Sequence, residues 1–311
     1  MKSLAKHLEA YLNLRHKLGF KLRVQAGLLA RFVDFARQKK ASVISTKLAL
    51  SWATGAQGCQ PTQWANRLGM VRRFARYVSG VDPRTEIPSQ ELLPLRLHRK
   101  APYLYTDSEV CRLIEAIRLL PDPLDLRAAS NAMMLGLLSV TGMRVSEAIG
   151  LDCQDVDLKQ GLLTVRNTKF GKSRLVPIHQ TTQSKLQDYE RLRDGFFPRA
   201  KTPSFFLSER GTRLTDCTFR HWFIVAFRKI GLRGAADSHG PRIHDLRHRF
   251  AVKTILNWYR RGVDVEAHLP ELTTYMGHGH VTDTYWYISS TPELLKLATQ
   301  RLERRNSEVF K

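Results

Sequence analysis

The spacing of apolar residues in the first eighty positions predicts four helices. Apolar residues recur every three or four positions, as on one face of an amphipathic helix. The pattern covers residues 4–18, 23–38, 47–53 and 62–78. In the fourth segment Leu68, Val71 and Ala75 lie on one stripe, which predicts a face packed on the other three helices. We therefore expect the chain to begin with a small helical bundle.

Residues 81–104 have a different character. Their prolines and the absence of a sustained apolar period predict a linker. Thr106 and Glu109 then form a capping-box pattern ahead of an apolar run, which predicts a helix start. We expect a helical domain over residues 1–92, a linker over 93–104 and a second domain over 105–311.

The second domain shows both helical and strand patterns. Two β-rich runs, residues 161–167 and 174–179, are joined by a glycine-containing turn and predict a β-hairpin. A short strand is expected at Phe205–Leu207. Helices are expected at residues 107–119, 127–141, 144–150, 180–194 and 215–229, through most of the chain from about 244, and from Ser290 or Thr291 to about Arg304. The expected fold class is mainly α with a small β-sheet, an α+β arrangement in two domains.

The charge balance indicates a polyanionic partner. Lys and Arg number 50 against 28 Asp and Glu, which gives a net charge of +22 and a pI near 10.2. So basic a protein repels itself unless an anion compensates, and nucleic acid is the leading candidate. Arg72, Arg73 and Arg76 point away from the apolar stripe of the fourth predicted helix, and we expect them to contact phosphates; a merely solvated face is the alternative.

Other compositional features narrow the class of protein. The spacing of the four cysteines suggests neither a disulfide framework nor a zinc site, which fits a reducing cytosol. The charged N-terminus does not resemble a signal peptide, and the most apolar stretch, residues 132–140, is too short to span a bilayer. We expect no membrane partner and a cytoplasmic location.

Candidate chemistry lies in three short boxes, VTGMRVSEAIGL (140–151), RIHDLRHRFA (242–251) and MGHGHVTDTYWY (276–287). The candidates within these boxes are two arginines, two histidines and a late tyrosine: Arg144, His244, Arg247, His278 and Tyr287. Arginine suits a phosphorane-like transition state, because its planar guanidinium donates two charged hydrogen bonds. A tyrosine nucleophile needs cationic neighbours or a base, because its free pKa is about 10.

These boxes, in this order and with Lys169 in TKFGKSRLVP on the hairpin, resemble the tyrosine recombinase (phage integrase) family, in particular its Xer-like and transposon-borne members. The resemblance covers both domains. It implies that Arg144 and Arg247 bind the scissile phosphate and that His244 and His278 donate to it. His244 can also help to manage the proton of the tyrosine. Glu147, one helical turn after Arg144, is implied to orient that arginine; a purely structural ion pair is the alternative.

The resemblance also ranks competing residues. Lys169 is favoured over Lys172 as the general acid, and Lys172 and Arg174 then hold backbone phosphates or solvate the turn. Tyr287 is favoured over Tyr285 as the nucleophile by its nine-residue interval from His278. His248 is expected to pack on or cap its helix. His280 invites a metal interpretation, but no further ligands cluster nearby, so we expect no metal.

The implied reaction is attack by Tyr287 on a DNA phosphodiester, giving a 3′-phosphotyrosyl link and a free 5′-hydroxyl, without ATP, metal or another cofactor. The implied assembly is a two-domain clamp on double-stranded DNA, with four protomers on two duplexes and a monomer or dimer when free. The resemblance also allows a related recombinase as a partner and implies a location at the bacterial nucleoid. A type IB topoisomerase and a non-catalytic architectural DNA-binding protein are the alternatives. The target sequence and the biological role, whether transposition, integration or resolution, stay open, as does whether the last helix docks on its own protomer or on a neighbour.

Overall fold

The computed structural model describes residues 3–94, 101–121, 125–166, 173–237, 240–288 and 292–309. The chain separates into two compact units, residues 1–100 and 101–311. The first unit is helical, with a short 3-10 helix at Gln90–Leu92 after four α-helices: α1 Leu4–Lys17, α2 Arg23–Gln38, α3 Thr46–Thr54 and α4 Pro61–Ser79. All four α-helices were predicted, and their ends agree with the prediction to within a residue.

The first unit is held together by the face of α4 that carries Leu68, Val71 and Ala75. Those side chains are buried, and Phe74 on the same helix contacts Tyr11 of α1 with ring centroids 5.5 Å apart. The apolar stripe therefore packs inward as its spacing predicts. Fully burying a Leu, Val or Phe side chain stabilises the folded state by about 1.5–3 kcal/mol.

The second unit adds nine α-helices among the described residues. They are α5 Asp107–Arg118, α6 Leu126–Thr141, α7 Val145–Ile149, α8 Gln180–Phe196, α9 Asp216–Lys229, α10 Ile243–Arg260, α11 Val265–Met276, α12 Thr282–Ile288 and α13 Pro292–Val309. The predicted capping box is confirmed, since the Thr106 hydroxyl accepts from the Glu109 N–H while the Glu109 carboxylate accepts from the Thr106 N–H.

A small antiparallel sheet has the order β1-β2-β3, with β1 Val156–Asp157, β2 Leu162–Val165 and β3 Arg174–Pro177. The predicted hairpin is confirmed by the pairing of β2 with β3, which aligns Val165 with Arg174. The sequence prediction missed β1, because two residues carry no alternation of their own. The predicted strand at Phe205–Leu207 is wrong. Its three side chains are all buried in the core, and the backbone there makes only isolated bridges at Ser204 and Leu207.

The centre of the second unit is α6. It is buried nearly all round and packs against α5, α8 and α10, as a helix without a polar face must. A second apolar cluster joins α10, α11 and α12, and it includes Leu294 from the start of α13. Arg260 of α10 also pairs with Glu293 of α13. In this structure α13 therefore docks on its own unit.

The carboxyl end of α6 is fixed by Gly142. Its φ of +61° lies in the left-handed region that favours glycine, and its N–H donates to the Leu138 carbonyl. A Cβ at this position would lie 2.5 Å from the Phe250 ring of α10. Glycine is therefore required both for the turn and for the close approach of α10.

Gly142→Ala is expected to lower the free energy of unfolding by about 1–3 kcal/mol, because the added methyl group must displace Phe250. Urea denaturation would measure the change. Gly195→Ala is the matched control, since Gly195 lies within α8, has no heavy atom near its would-be Cβ and should gain stability from alanine. Equal effects at the two positions would contradict this account of Gly142.

Candidate active site

The first element of the site is Arg144, which precedes α7. Its Nη1 donates to Glu147 Oε1 at 2.7 Å, and its Nη2 donates to the carbonyl of Gly277 at 3.0 Å. The Arg144 backbone N–H also donates to Glu147 Oε2 at 2.9 Å. The guanidinium is thus tied to its own helix and to the end of α11. About a quarter of the side chain, 26%, stays exposed and available to a ligand.

Arg174 at the start of β3 belongs to the same cluster. Its Nη1 and Nη2 donate to the two carboxylate oxygens of Glu147 at 3.1 and 2.8 Å, and its Nε donates to the Tyr275 carbonyl at 2.7 Å. All three nitrogens are occupied and the side chain is almost completely buried. The sequence suggested a phosphate contact or a solvated turn for Arg174. The structure instead gives it an internal ion pair, because β3 runs directly beside Glu147.

Glu147 is the carboxylate that both arginines share. Burial by itself raises the pKa of this side chain, but the hydrogen bonds from Arg174 and Arg144 outweigh burial and hold its pKa at about 2. Glu147 is therefore ionised at neutral pH and unsuited to act as a base. It fixes the positions of two guanidiniums that come from different elements.

Arg247 is buried at the start of α10. Its Nη1 donates to the carbonyl of Gly142 at the end of α6, and its Nη2 donates to the carbonyl of Met276 at the end of α11, both at 2.7 Å. Burial, followed by repulsion from Arg144, lowers its pKa to about 10, so it stays charged at pH 7. Two helix carboxyl ends, where carbonyls lack helical partners, thus hold this cation.

The start of α10 is itself fixed by Asp245. This buried carboxylate accepts from the Arg242 N–H at 2.8 Å and from the Arg242 side chain. The cap sets the first turn of α10, and this turn carries both His244 and Arg247. An acidic residue at the third helical position is a recognisable capping signal, but Asp245 was not among the predicted site residues.

Two histidines lie on the same face of α10, four residues apart. The rings of His244 and His248 meet edge to face with centroids 4.9 Å apart. The His244 side chain is exposed, yet its packed surroundings partly desolvate it and Arg247 repels its proton, so its pKa is lowered. Burial, together with the charge of neighbouring His244, lowers the pKa of His248 to about 4. His248 packs against Trp286 and Tyr287, in agreement with the expected packing role.

The short helix α12 brings Tyr287 into the cluster. Tyr287 is 3% exposed, whereas Tyr285, two residues earlier on the other side of the helix, is 48% exposed. Burial raises the pKa of the Tyr287 hydroxyl, while a hydrogen bond from Arg247 and the charges of Arg247 and Arg144 oppose the rise. The structure therefore places Tyr287, and not Tyr285, beside the arginines.

His278 lies between the end of α11 and the start of α12. Its ring stacks near Tyr287 with centroids 6.0 Å apart, and its Nδ1 lies 2.8 Å from the Thr284 hydroxyl. Burial and the charges of Arg247 and Arg144 lower its pKa to about 4. The preceding Gly277 has a φ of +67°, and a Cβ there would lie 2.8 Å from Arg174 Nη1. Glycine is thus needed at position 277 so that the Arg174 guanidinium can lie against this backbone.

The structure brings together five of the six predicted catalytic residues: Arg144, His244, Arg247, His278 and Tyr287. Lys169 and its rival Lys172 lie outside the described residues. Among the described residues, no group of three His, Cys, Asp or Glu side chains could hold a metal ion, and His280 is exposed. Over the same part of the chain, no helix is long and apolar enough to cross a membrane.

Three of the four arginines of α4, namely Arg72, Arg73 and Arg76, were predicted to contact phosphates, and they differ from one another. Arg73 and Arg76 are exposed. Arg72 donates through Nε to the Pro88 carbonyl at 2.7 Å and through Nη2 to the Ser89 carbonyl at 2.6 Å. Arg72 thus anchors the segment that follows α4, which leaves Arg73 and Arg76 as the open cations of this helix.

Comparison with known proteins gives a consistent family signal. The family described as "Phage integrase family" matches residues 104–293. A putative integrase/recombinase, y4rB of Sinorhizobium fredii, is 46% identical over 98% of each chain. Tyrosine recombinase XerD of Proteus mirabilis is 30% identical over 79% of this chain and 73% of its own. The Tn1549 transposon integrase, solved in complex with transposon right end DNA, has the same fold with a TM-score of 0.66 at 16% identity, covering 97% of this chain and 99% of that one.

The contribution of the Glu147 carboxylate to the free energy of unfolding should depend on pH. A carboxyl whose folded-state pKa is held below its usual 4.5 contributes stability above that value, and the contribution is lost as pH falls towards about 2. The gap in unfolding free energy between the wild type and Glu147→Gln should therefore be largest near neutral pH. It should narrow below about pH 4.5, by on the order of 3 kcal/mol in all.

Urea titrations at several pH values would measure this gap. Glu115→Gln is the control, because Glu115 is exposed on α5 and its replacement should change the free energy of unfolding only slightly. A gap for Glu147→Gln that is constant with pH would mean that the carboxylate is not what stabilises the cluster.

Proposed function

The chain belongs to the phage integrase family, and we propose that it is a site-specific DNA recombinase that cuts and rejoins strands through Tyr287. The observation that carries the proposal is the contact between Tyr287 and Arg247. A buried tyrosine hydroxyl receives a hydrogen bond from a guanidinium that two backbone carbonyls hold in place. Nucleophile and phosphate-binding cation are therefore adjacent before any substrate arrives.

The chemistry follows from this arrangement. The Tyr287 oxygen attacks phosphorus, the bond to the 5′-oxygen breaks, and a 3′-phosphotyrosyl link forms. The tyrosine proton leaves and the departing 5′-oxygen gains a proton. A 5′-hydroxyl from a second duplex then reverses the attack on a new partner. Phosphoester bond energy is kept in the covalent link, so the cycle needs neither ATP nor a cofactor.

Arg144 and Arg247 are proposed to bind the non-bridging phosphate oxygens. Three guanidiniums and one carboxylate leave the cluster with an excess of positive charge, which a phosphodiester anion would neutralise. Preorganised donors of this kind stabilise the transition state because they need no reorientation as charge develops. His244 and His278 complete the set of groups around the phosphate, and Glu147 acts by orienting Arg144.

Two parts of the proposal rest on the sequence. Lys169 is proposed as the general acid for the 5′-oxygen, with Lys172 as its rival. The two-domain clamp and the assembly of four protomers on two duplexes also remain predictions from the family resemblance. The relatives are bacterial proteins, and we infer that this chain acts on chromosomal or plasmid DNA in the cytoplasm.

The two alternatives make different predictions. A type IB topoisomerase would form the same covalent link but rejoin the original strands, and an architectural protein would form no link. The relatives named recombinases favour strand exchange. A plasmid with two target sites distinguishes a recombinase from a topoisomerase, because recombination changes the order of the DNA segments whereas relaxation does not.

Tyr287→Phe is expected to abolish covalent capture of a suicide substrate nicked near the cleavage site, because the nucleophilic oxygen is lost. Tyr285→Phe, which removes the exposed hydroxyl two residues away, should capture DNA like the wild type. Denaturing gels would resolve the adduct. Capture by Tyr287→Phe would show that another residue attacks, and absence of capture by the wild type would exclude the enzyme.

Arg73→Gln should weaken binding to duplex DNA of any sequence, because phosphate contacts carry no base information. Loss of one phosphate contact should reduce the slope of log K against log salt by about 0.9. Fluorescence anisotropy across a salt series would measure it. Arg37→Gln is the control, since Arg37 is an exposed arginine of the same unit that already pairs with Asp34. Equal slopes for wild type and Arg73→Gln would remove Arg73 from the interface.

A further inference from the structure

His278 is the end of a chain of hydroxyl groups that joins α11 to α12. Its Nδ1 lies 2.8 Å from Thr284 Oγ1, and Thr284 Oγ1 lies 2.9 Å from Thr273 Oγ1. The Thr273 hydroxyl in turn donates to the Leu269 carbonyl at 2.7 Å. Thr284 is fully buried and Thr273 nearly so, so this chain is sealed from solvent.

The direction of every hydrogen bond in the chain follows from the carbonyl at its end. A carbonyl can only accept, and a hydroxyl has one proton to give. The Thr273 hydroxyl donates its proton to the Leu269 carbonyl and must therefore accept from Thr284. The Thr284 hydroxyl then donates to Thr273 and must accept from His278. The Nδ1 of His278 therefore carries a proton.

This protonation pattern determines what the other ring nitrogen can do. A neutral imidazole has one N–H, and a proton on Nδ1 leaves Nε2 with a lone pair. We propose that Thr284 and Thr273 are positioning residues that hold His278 in the Nδ1–H tautomer, so that its Nε2 donates a hydrogen bond to the scissile phosphate only when the ring is an imidazolium. This inference rests on the proposed strand-transfer function for its catalytic consequence.

The surroundings of His278 make its charge depend on the substrate. Charged groups face the ring from four elements, the start of α7, β3, α10 and α12: Arg144, Arg174, Arg247 and Asp283. The neutral phenol of Tyr287 stacks beside it. Burial and the three arginines disfavour the imidazolium in the DNA-free protein, and the pKa of His278 is accordingly low. A bound phosphodiester would offset those cations and favour protonation, so the donor would form when the substrate is in place.

The tautomer can be measured without any activity. In full-length protein labelled with ¹⁵N-histidine and free of DNA, NMR at neutral pH should show His278 protonated at Nδ1, with His278→Gln used to assign its signals. Thr284→Val keeps the shape of the side chain but removes the acceptor, and its His278 should shift to the Nε2–H tautomer. An Nε2–H ring in the wild type, or no change in Thr284→Val, would overturn the relay.

The catalytic consequence is tested by the pH profile of single-turnover cleavage of the nicked suicide substrate. In the wild type the rate should contain a component that falls as pH rises, because the imidazolium donor is lost. Thr284→Ser keeps the hydroxyl and should keep that fall. Thr284→Val should lose it, because its neutral ring can donate from Nε2. It should also be slower at the acidic end by about five- to tenfold, because a neutral donor replaces a charged one.

A second variant distinguishes the loss of the hydrogen-bond relay from simple damage to α12. Thr273→Val leaves Thr284 intact but removes its acceptor, which frees the Thr284 proton to point at Nδ1. It should therefore reproduce both the tautomer shift and the flattened profile of Thr284→Val. A parallel loss of rate at every pH in both valine variants would show a structural role alone and would overturn the positioning role. If the wild type forms no adduct, the proposed function fails, whereas the NMR measurement still decides the relay.

Discussion

The site depends on one buried carboxylate. Glu147 receives Arg144 from its own helix and Arg174 from β3, and both of its oxygens are used. Breaking a buried pair of this kind leaves an uncompensated charge, which costs about 3–5 kcal/mol. The carboxylate therefore determines where two cations lie, and through Arg174 it ties the sheet to the carbonyl of Tyr275 on α11. The spacing between the sheet and the helices that surround the site follows from this contact.

Backbone carbonyls, together with Glu147, hold the arginines of the site in position. Arg247 is held by the carbonyls of Gly142 and Met276, and Arg144 reaches the carbonyl of Gly277. These acceptors lie at the carboxyl ends of α6 and α11, where the helix dipole favours a cation. A carbonyl neutralises only part of a guanidinium's charge. The cluster thus stays electropositive while each arginine is immobilised, which suits a group that must receive an anion without rearranging.

Local patterns predicted the elements, and tertiary contacts decided the roles of some residues. The hairpin and the helices follow from periodicity and caps. The choice of Tyr287 over Tyr285 followed from an interval in the family resemblance, and its burial agrees with that choice. Arg174 looked like a surface cation because its partner, Glu147, lies 27 residues away in sequence. The Thr273–Thr284 contact requires α11 and α12 to be already packed, so no sequence spacing reveals it.

The use of main-chain acceptors has a consequence for how this site tolerates change. Every residue type supplies a carbonyl oxygen, so the anchor at Met276 is indifferent to the identity of that side chain as long as α11 ends where it does. The anchors at Gly142 and Gly277 are different, because their left-handed backbone and close neighbours restrict the position to glycine. A lineage or a laboratory selection that alters DNA specificity can therefore remodel much of the surrounding surface while the cation scaffold is inherited unchanged.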